Sequence, residues 1–261
     1  MPVCAQDGVL TEAQLRDWRD CGFLVARDFF SKADVQRLQS ESGQLLTKRR
    51  DLICLENLRC RYMAHHESGE LLFEVFDPVN DIAPVCAEFC ANERLLSMLE
   101  LLYGEPACLF KEKLIFKPPG ALGYQLHQDI PLAWEGFPMS FLTVLIAIDP
   151  STQENGGTEV FSGYHQDFLS KDDSLYMLPD EAVDRSRGTL LELQPGDVAL
   201  FHGLTPHRSA PNRSSLMRRV LYASYNAFSD GGDQRSAHYL AFRDKMAKHR
   251  KTQTSAPLFF R

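Results

Sequence analysis

Positive charge is in short supply in this chain: 28 lysines and arginines face 35 aspartates and glutamates, a formal net charge of -7. Nucleic-acid binding is not expected from that balance, because it rests on clustered Lys and Arg that neutralise phosphates. Long apolar runs are lacking as well. The longest, Phe141 to Ile148 broken only by Thr143, is far too short for a bilayer, so no membrane partner is expected. The first residues, MPVCAQDGVLTEAQ, carry neither a basic cluster nor an apolar segment, so no signal peptide is expected. The seven cysteines are odd in number and form no C-x-x-C pair. That usage points to reduced thiols in a cytoplasmic protein, not to a disulfide framework. Cys86 and Cys90 are spaced to share a helix face, where core packing is the simple reading. Neither an internal repeat nor a low-complexity linker divides the sequence. One domain over 1–261 and no obligatory protein partner are the expectation.

What the chain does have is a 44% hydrophobic composition, enough for a real core. Residues 1–104 read as a mostly helical flank. Thr11 and Ser31 are placed as N-caps, Gly22 and Gly104 as helix ends, and FLVARDF as a short strand. A single further helix is expected through IAPVCAEFCANERLLSMLELLYG. Residues 105–228 change in texture. Short β-branched and aromatic runs, such as CLFKEKLIFKPPG, SFLTVLIAID and RRVLYASYNA, are bounded by Pro, Gly, Asn and Asp. The fold class expected is mainly β with flanking helices, a jelly roll rather than alternating β/α units. Residues 229–261 read as a tail with some helical character and a basic, solvated end.

The stretch GYQLHQDIP places His127 and Asp129 two residues apart. On a strand such residues face the same way while Gln128 faces the other, which suits a pair of metal ligands. A third ligand must come from elsewhere, and His165, His202 and His207 follow in the strand-rich part. Two histidines and a carboxylate make the set that leaves open positions on non-haem Fe(II). Zinc uses the same groups. A metal-dependent isomerase or lyase, or a binding protein with a degenerate site, would also fit the ligand set alone.

HQD, then AIDPSTQENGGTEVFSGYH, then QPGDVALFHGLTPHRSAPNRSSLMRR, in that order and spacing, resemble the phytanoyl-CoA dioxygenase family of Fe(II)/2-oxoglutarate oxygenases. The resemblance runs from about Leu10 to Asn226. It implies a double-stranded β-helix, with His127, Asp129 and His207 as iron ligands and 2-oxoglutarate and O2 as co-substrates. It gives Arg218 the distal carboxylate of 2-oxoglutarate, assisted by Ser209, and associates Lys117 with the co-substrate carboxylates. Arg219 is the alternative to Arg218, and adjacent strand residues face opposite sides, so only one can enter the barrel. The presence of Asp129 implies hydroxylation rather than halogenation. His165 and His202 are left as structural neighbours, and His65 and His66 as either lid or surface.

For the substrate, a small molecule, the resemblance places Asn57, Arg59, Arg61 and Tyr62 near the barrel mouth. Arg59 and Arg61 would clamp an anion, and Trp134 would stack on a cationic amine. FKEKLIFKPPGALGYQLHQDIPLAWEGFPMSFLTVLIAIDP resembles the 2-aminoethylphosphonate dioxygenase branch of the family. That implies hydroxylation of a small polar substrate at the carbon next to phosphorus. Another small zwitterion or a natural-product scaffold would use the same iron centre.

Overall fold

A computed structural model of the chain describes residues 10–130, 138–170 and 177–261. The N-terminal helices start where the sequence places their caps. Helix α1 (Glu12–Cys21) and helix α2 (Lys32–Thr47) each open with a capping box, Thr11 with Gln14 and Ser31 with Asp34. Both boxes satisfy amide groups that the first helical turn leaves orphaned. Gly22 ends α1 in the left-handed region at φ 76° and turns the chain into strand β1 (Phe23–Ala26).

The flank is less helical than its composition suggests. Strands β2 (Cys60–Ala64) and β3 (Leu71–Phe76) lie inside it and join the main sheet. Arg61 in β2 and Glu74 in β3 interrupt their apolar runs and hide the strand pattern. The single helix expected next is two, α3 (Pro84–Cys90) and α4 (Glu93–Tyr103), because the Asn92 side chain accepts from Leu95 N and starts a new helix. Cys86 and Cys90 are both buried in α3, as core.

The strand-rich part supplies β4 (Ala107–Lys117), β5 (Tyr124–His127), β6 (Leu142–Ala147), β7 (Thr158–Phe161), β8 (Gly188–Leu190), β9 (Val198–His202), β10 (His207–Ser209) and β11 (Arg218–Ala227). The tail is largely exposed but anchored at two points. It forms helix α5 (Arg235–Arg250), which buries Tyr239 against β4 and Arg250 beside Cys60.

The strands form two antiparallel sheets: seven strands in the order β1-β9-β6-β11-β4-β3-β2, and four in the order β5-β10-β7-β8. One core fills the space between them, with Leu145, Phe201 and Val220 from the large sheet meeting Val160 from the small one. A second core, with Leu114, Val144 and Leu221, lies between the outer face of the large sheet and the helices. Both faces of the large sheet are therefore covered, which explains the nearly continuous apolar runs of β6 and β11. The architecture is a jelly roll.

Candidate active site

The small sheet brings the two halves of the ligand set together, because β5 and β10 pair with His207 opposite His127. Each histidine has its Nδ1 against a backbone carbonyl, His127 on Gln125 O at 2.7 Å and His207 on Thr205 O at 3.0 Å. Nδ1 therefore carries the proton and Nε2 keeps its lone pair. Both Nε2 atoms lie 3.9 Å from Asp129 Oδ1. Thr143 Oγ1 donates to Asp129 Oδ2 at 2.7 Å, which leaves Oδ1 to face the imidazoles. One ligand atom from each residue lies within 4.8 Å of the other two, and all three residues are buried. Three convergent lone pairs with oriented partners behind them fit a divalent metal.

Electrostatics keep these atoms available. Burial and the neighbouring His207 push His127 down to about 3, and burial lowers His207 as well. Burial alone would raise Asp129, but His207, Lys111 and Lys113 outweigh it and hold the carboxyl well below its usual range. Gln128 points away from the triad. Its Nε2 donates to Leu204 O and Asp167 O, and its Oε1 accepts from Leu169 N, so it fastens the surrounding loops.

A cavity of about 160 Å³ opens beside the triad. Its lining includes Arg61, Lys113, Tyr124, Arg208, Ser209, Arg218 and Tyr222. The two adjacent arginines of β11 separate as strand parity requires. Arg219 faces the helices and grips Asp149 with Nε and Nη2, each at 2.7 Å. Arg218 faces the cavity, is 3% exposed, and has Nε and Nη1 without a hydrogen-bond partner among the described residues. A buried guanidinium with two orphaned nitrogens fits an incoming carboxylate.

Lys117 takes a different place from the one the resemblance gave it. Its Nζ donates to Gly156 O, Ser209 Oγ and Ala210 O, at 3.1, 3.0 and 2.5 Å, so its three protons are engaged. Gly156 sits at φ +71°, where a Cβ would strike Ala210 O, and only glycine lets its carbonyl cap the ammonium there. Ser209 Oγ also accepts from Tyr124 N. With two donors already on its oxygen, the hydroxyl has its own proton left for the cavity.

The residues expected at the mouth divide. Arg61 lines the cavity. Asn57 does not: it is fully buried, donating to Leu52 O and Arg261 O. Arg59 pairs with Asp81 and lies over the Phe260 ring. Tyr62 packs edge-on against Phe73 under Arg250. The Arg59–Arg61 clamp fails for a simple reason. Arg59 precedes β2, so the two-residue alternation that would align it with Arg61 does not apply. Trp134 lies outside the described residues. His202 and His165 face each other at 6.0 Å, apart from the triad, and His65 and His66 stack on each other at a turn. Lys111 and Lys113 went unread, although the alternation in KEKLIFK puts both on the face of Lys117.

Comparison with known proteins agrees with this geometry. The family model described as phytanoyl-CoA dioxygenase matches residues 18–220. A 2-aminoethylphosphonate dioxygenase from an uncultured bacterium is 30% identical, over 91% of this chain and 88% of its own length. A methylphosphonate hydroxylase from Gimesia maris is 31% identical, over 92% and 89%. The crystal structure of EctD from S. alaskensis with 2-oxoglutarate and 5-hydroxyectoine superimposes with a TM-score of 0.71 at 23% identity, covering 85% of this chain and 78% of that one. The chain belongs to the phytanoyl-CoA dioxygenase family and is an Fe(II)/2-oxoglutarate-dependent dioxygenase.

Proposed function

We propose that this dioxygenase hydroxylates a small phosphonate at the carbon next to phosphorus, with 2-aminoethylphosphonate as the first candidate. His127, Asp129 and His207 hold the iron, and Arg218 with Ser209 takes the distal carboxylate of 2-oxoglutarate. The observation that carries this assignment is the pair of unpartnered Arg218 nitrogens in the cavity beside the triad. The phosphonate reading rests on the names of the two relatives near 30% identity and on the cavity itself. Four cations line it, Arg61, Lys113, Arg208 and Arg218, against the single carboxylate of Asp129. Cytoplasmic residence is part of the proposal, supported by six described cysteines that are all unpaired.

Iron with 2-oxoglutarate and O2 supplies the chemistry: one oxygen atom enters the substrate C–H bond, and the other leaves in succinate as CO2 is lost. The chain's own residues position and shield. Thr143 holds Asp129 in one rotamer, and Gln125 O and Thr205 O fix the imidazole tautomers. Lys117 sets the Ser209 hydroxyl. Phe201, 4.5 Å from the His207 ring, closes the apolar side and keeps water out.

Succinate release by iron-loaded protein, supplied with O2 and 2-oxoglutarate with and without 2-aminoethylphosphonate, tests the proposal. Strong stimulation by the phosphonate, with a hydroxylated product, is the expected result. Turnover that no phosphonate stimulates would remove the substrate assignment and leave the oxygenase.

A further inference from the structure

The four cations around the cavity are not equivalent. Arg208 is already committed, with Nε on Glu159 at 2.7 Å and Nη1 on Asp180 at 3.2 Å. Arg218 is the co-substrate's. Its β4 neighbour is Lys117, whose Nζ holds Ser209. Two cations remain. Lys113 makes no hydrogen bond or ion pair with the described residues, and its nearest aromatic contact is the Tyr222 ring at 5.1 Å. Arg61 gives Nη2 to Asp77 at 2.5 Å, but its Nε is buried without a partner among the described residues.

Strand register separates Lys113 from Arg218. The Arg61 backbone, paired through Val75 with Ile115, lies between the two, with its Nη2 reaching along β3 to Asp77, toward the Lys113 level. Lys117 stands opposite Arg218, and Lys113 opposite Tyr222. Four residues of strand put the Lys113 backbone roughly 13 Å from the Arg218 level. The cavity therefore has a cationic group at each end, with the triad also in its wall. An unpaired ammonium and a half-paired guanidinium in one partly buried cavity carry a desolvation cost that an entering anion relieves.

We propose that Lys113, at the end of the cavity away from the 2-oxoglutarate seat, and Arg61, whose guanidinium reaches toward it, form the seat for the substrate's phosphonate group. The inference rests on the phosphonate reading above. Lys113 supplies a point charge and Arg61 a directed N–H, together covering two of the three phosphonate oxygens. Arg61 is held for this by Asp77, and the Tyr239 hydroxyl of α5 lies 3.1 Å from the other oxygen of that carboxylate. Helix α5, outside the barrel, thus acts as a positioning element for the seat.

The test compares wild type with Lys113→Met, Lys113→Arg and Arg61→Met. Each is loaded with Fe(II) and 2-oxoglutarate, and 2-aminoethylphosphonate and methylphosphonate are the probes. Anaerobic calorimetry reads binding, succinate release reads turnover, and thermal unfolding checks the fold. Lys113→Met is expected to weaken phosphonate binding by roughly tenfold to a hundredfold while 2-oxoglutarate affinity stays as in wild type. Lys113→Arg recovers most of the loss. Folded Lys113→Met and Arg61→Met proteins that bind the probes as tightly as wild type would overturn the seat and leave the phosphonate reading standing. A wild type that neither binds nor turns over either phosphonate would overturn both.

Discussion

The large and small sheets divide the work of this barrel unevenly. Strands β4 and β11 of the large sheet run 11 and 10 residues and share an almost unbroken ladder. The strands of the small sheet are three or four residues long, yet they carry His127, His207 and Ser209. Long strands covered on both faces concentrate burial and stability. Short strands leave more of their backbone to loops, whose course can be adjusted to aim a ligand atom. The large sheet still reaches into the chemistry, through Thr143 on Asp129 and through Arg218 and Lys113 on the cavity wall.

That division can be broken from either side. Asp129→Ala should have the largest effect, cutting succinate formation by more than the roughly 100-fold that loss of a group outside the ligand set costs. Iron titration should show the lost affinity, with little change in the unfolding midpoint. Its mirror image is Leu221→Ala, fully buried beneath the helices. It should cost about 2–5 kcal/mol in denaturant unfolding and leave iron affinity intact. A result in which both variants lose both properties would abolish the distinction.

Adjacent arginines sharpen it. Arg218→Met should raise the KM for 2-oxoglutarate by roughly tenfold to a hundredfold without destabilising the protein, because it removes a buried cation that has two empty nitrogens. Arg219→Met should do the reverse, losing about 2 kcal/mol with the Asp149 pair while the KM holds. Steady-state kinetics beside urea melts would separate the two. The smallest effect belongs to Thr143→Val, expected to lower iron affinity about tenfold by freeing Asp129 Oδ2. An unchanged iron titration would show that the large sheet does not orient the ligand.

The sequence was readable where one local rule decides the outcome. The N-cap residues Thr11 and Ser31 located α1 and α2, and strand parity required Arg218 and Arg219 to part, with the resemblance choosing Arg218 for the cavity. His127 and Asp129 converge although β5 ends at His127. It was opaque where a side chain's partner lies far along the chain. Nothing near Asn57 or Arg59 announces Arg261 or Phe260 as their neighbours. The α5 segment looks like a solvated tail because only a few of its residues are buried, Tyr239 among them. Lys113, four residues before Lys117 and so on the same strand face, was within reach of the parity rule, but a lysine on an inward face reads as solvated until the cavity is seen.

The position of β11 has a consequence for how the protein is made. It is the last strand of the sheet to be synthesised, yet it belongs between β4 and β6, which have no hydrogen bonds to each other. At roughly 5–20 residues per second, β4 emerges several seconds before the partner that covers its edge. Throughout that interval the nascent chain offers an open, largely apolar strand to any neighbouring chain. Recombinant yield should therefore depend on synthesis rate and temperature more than on the stability of the finished fold. Chains interrupted before residue 218 would keep that edge open and aggregate.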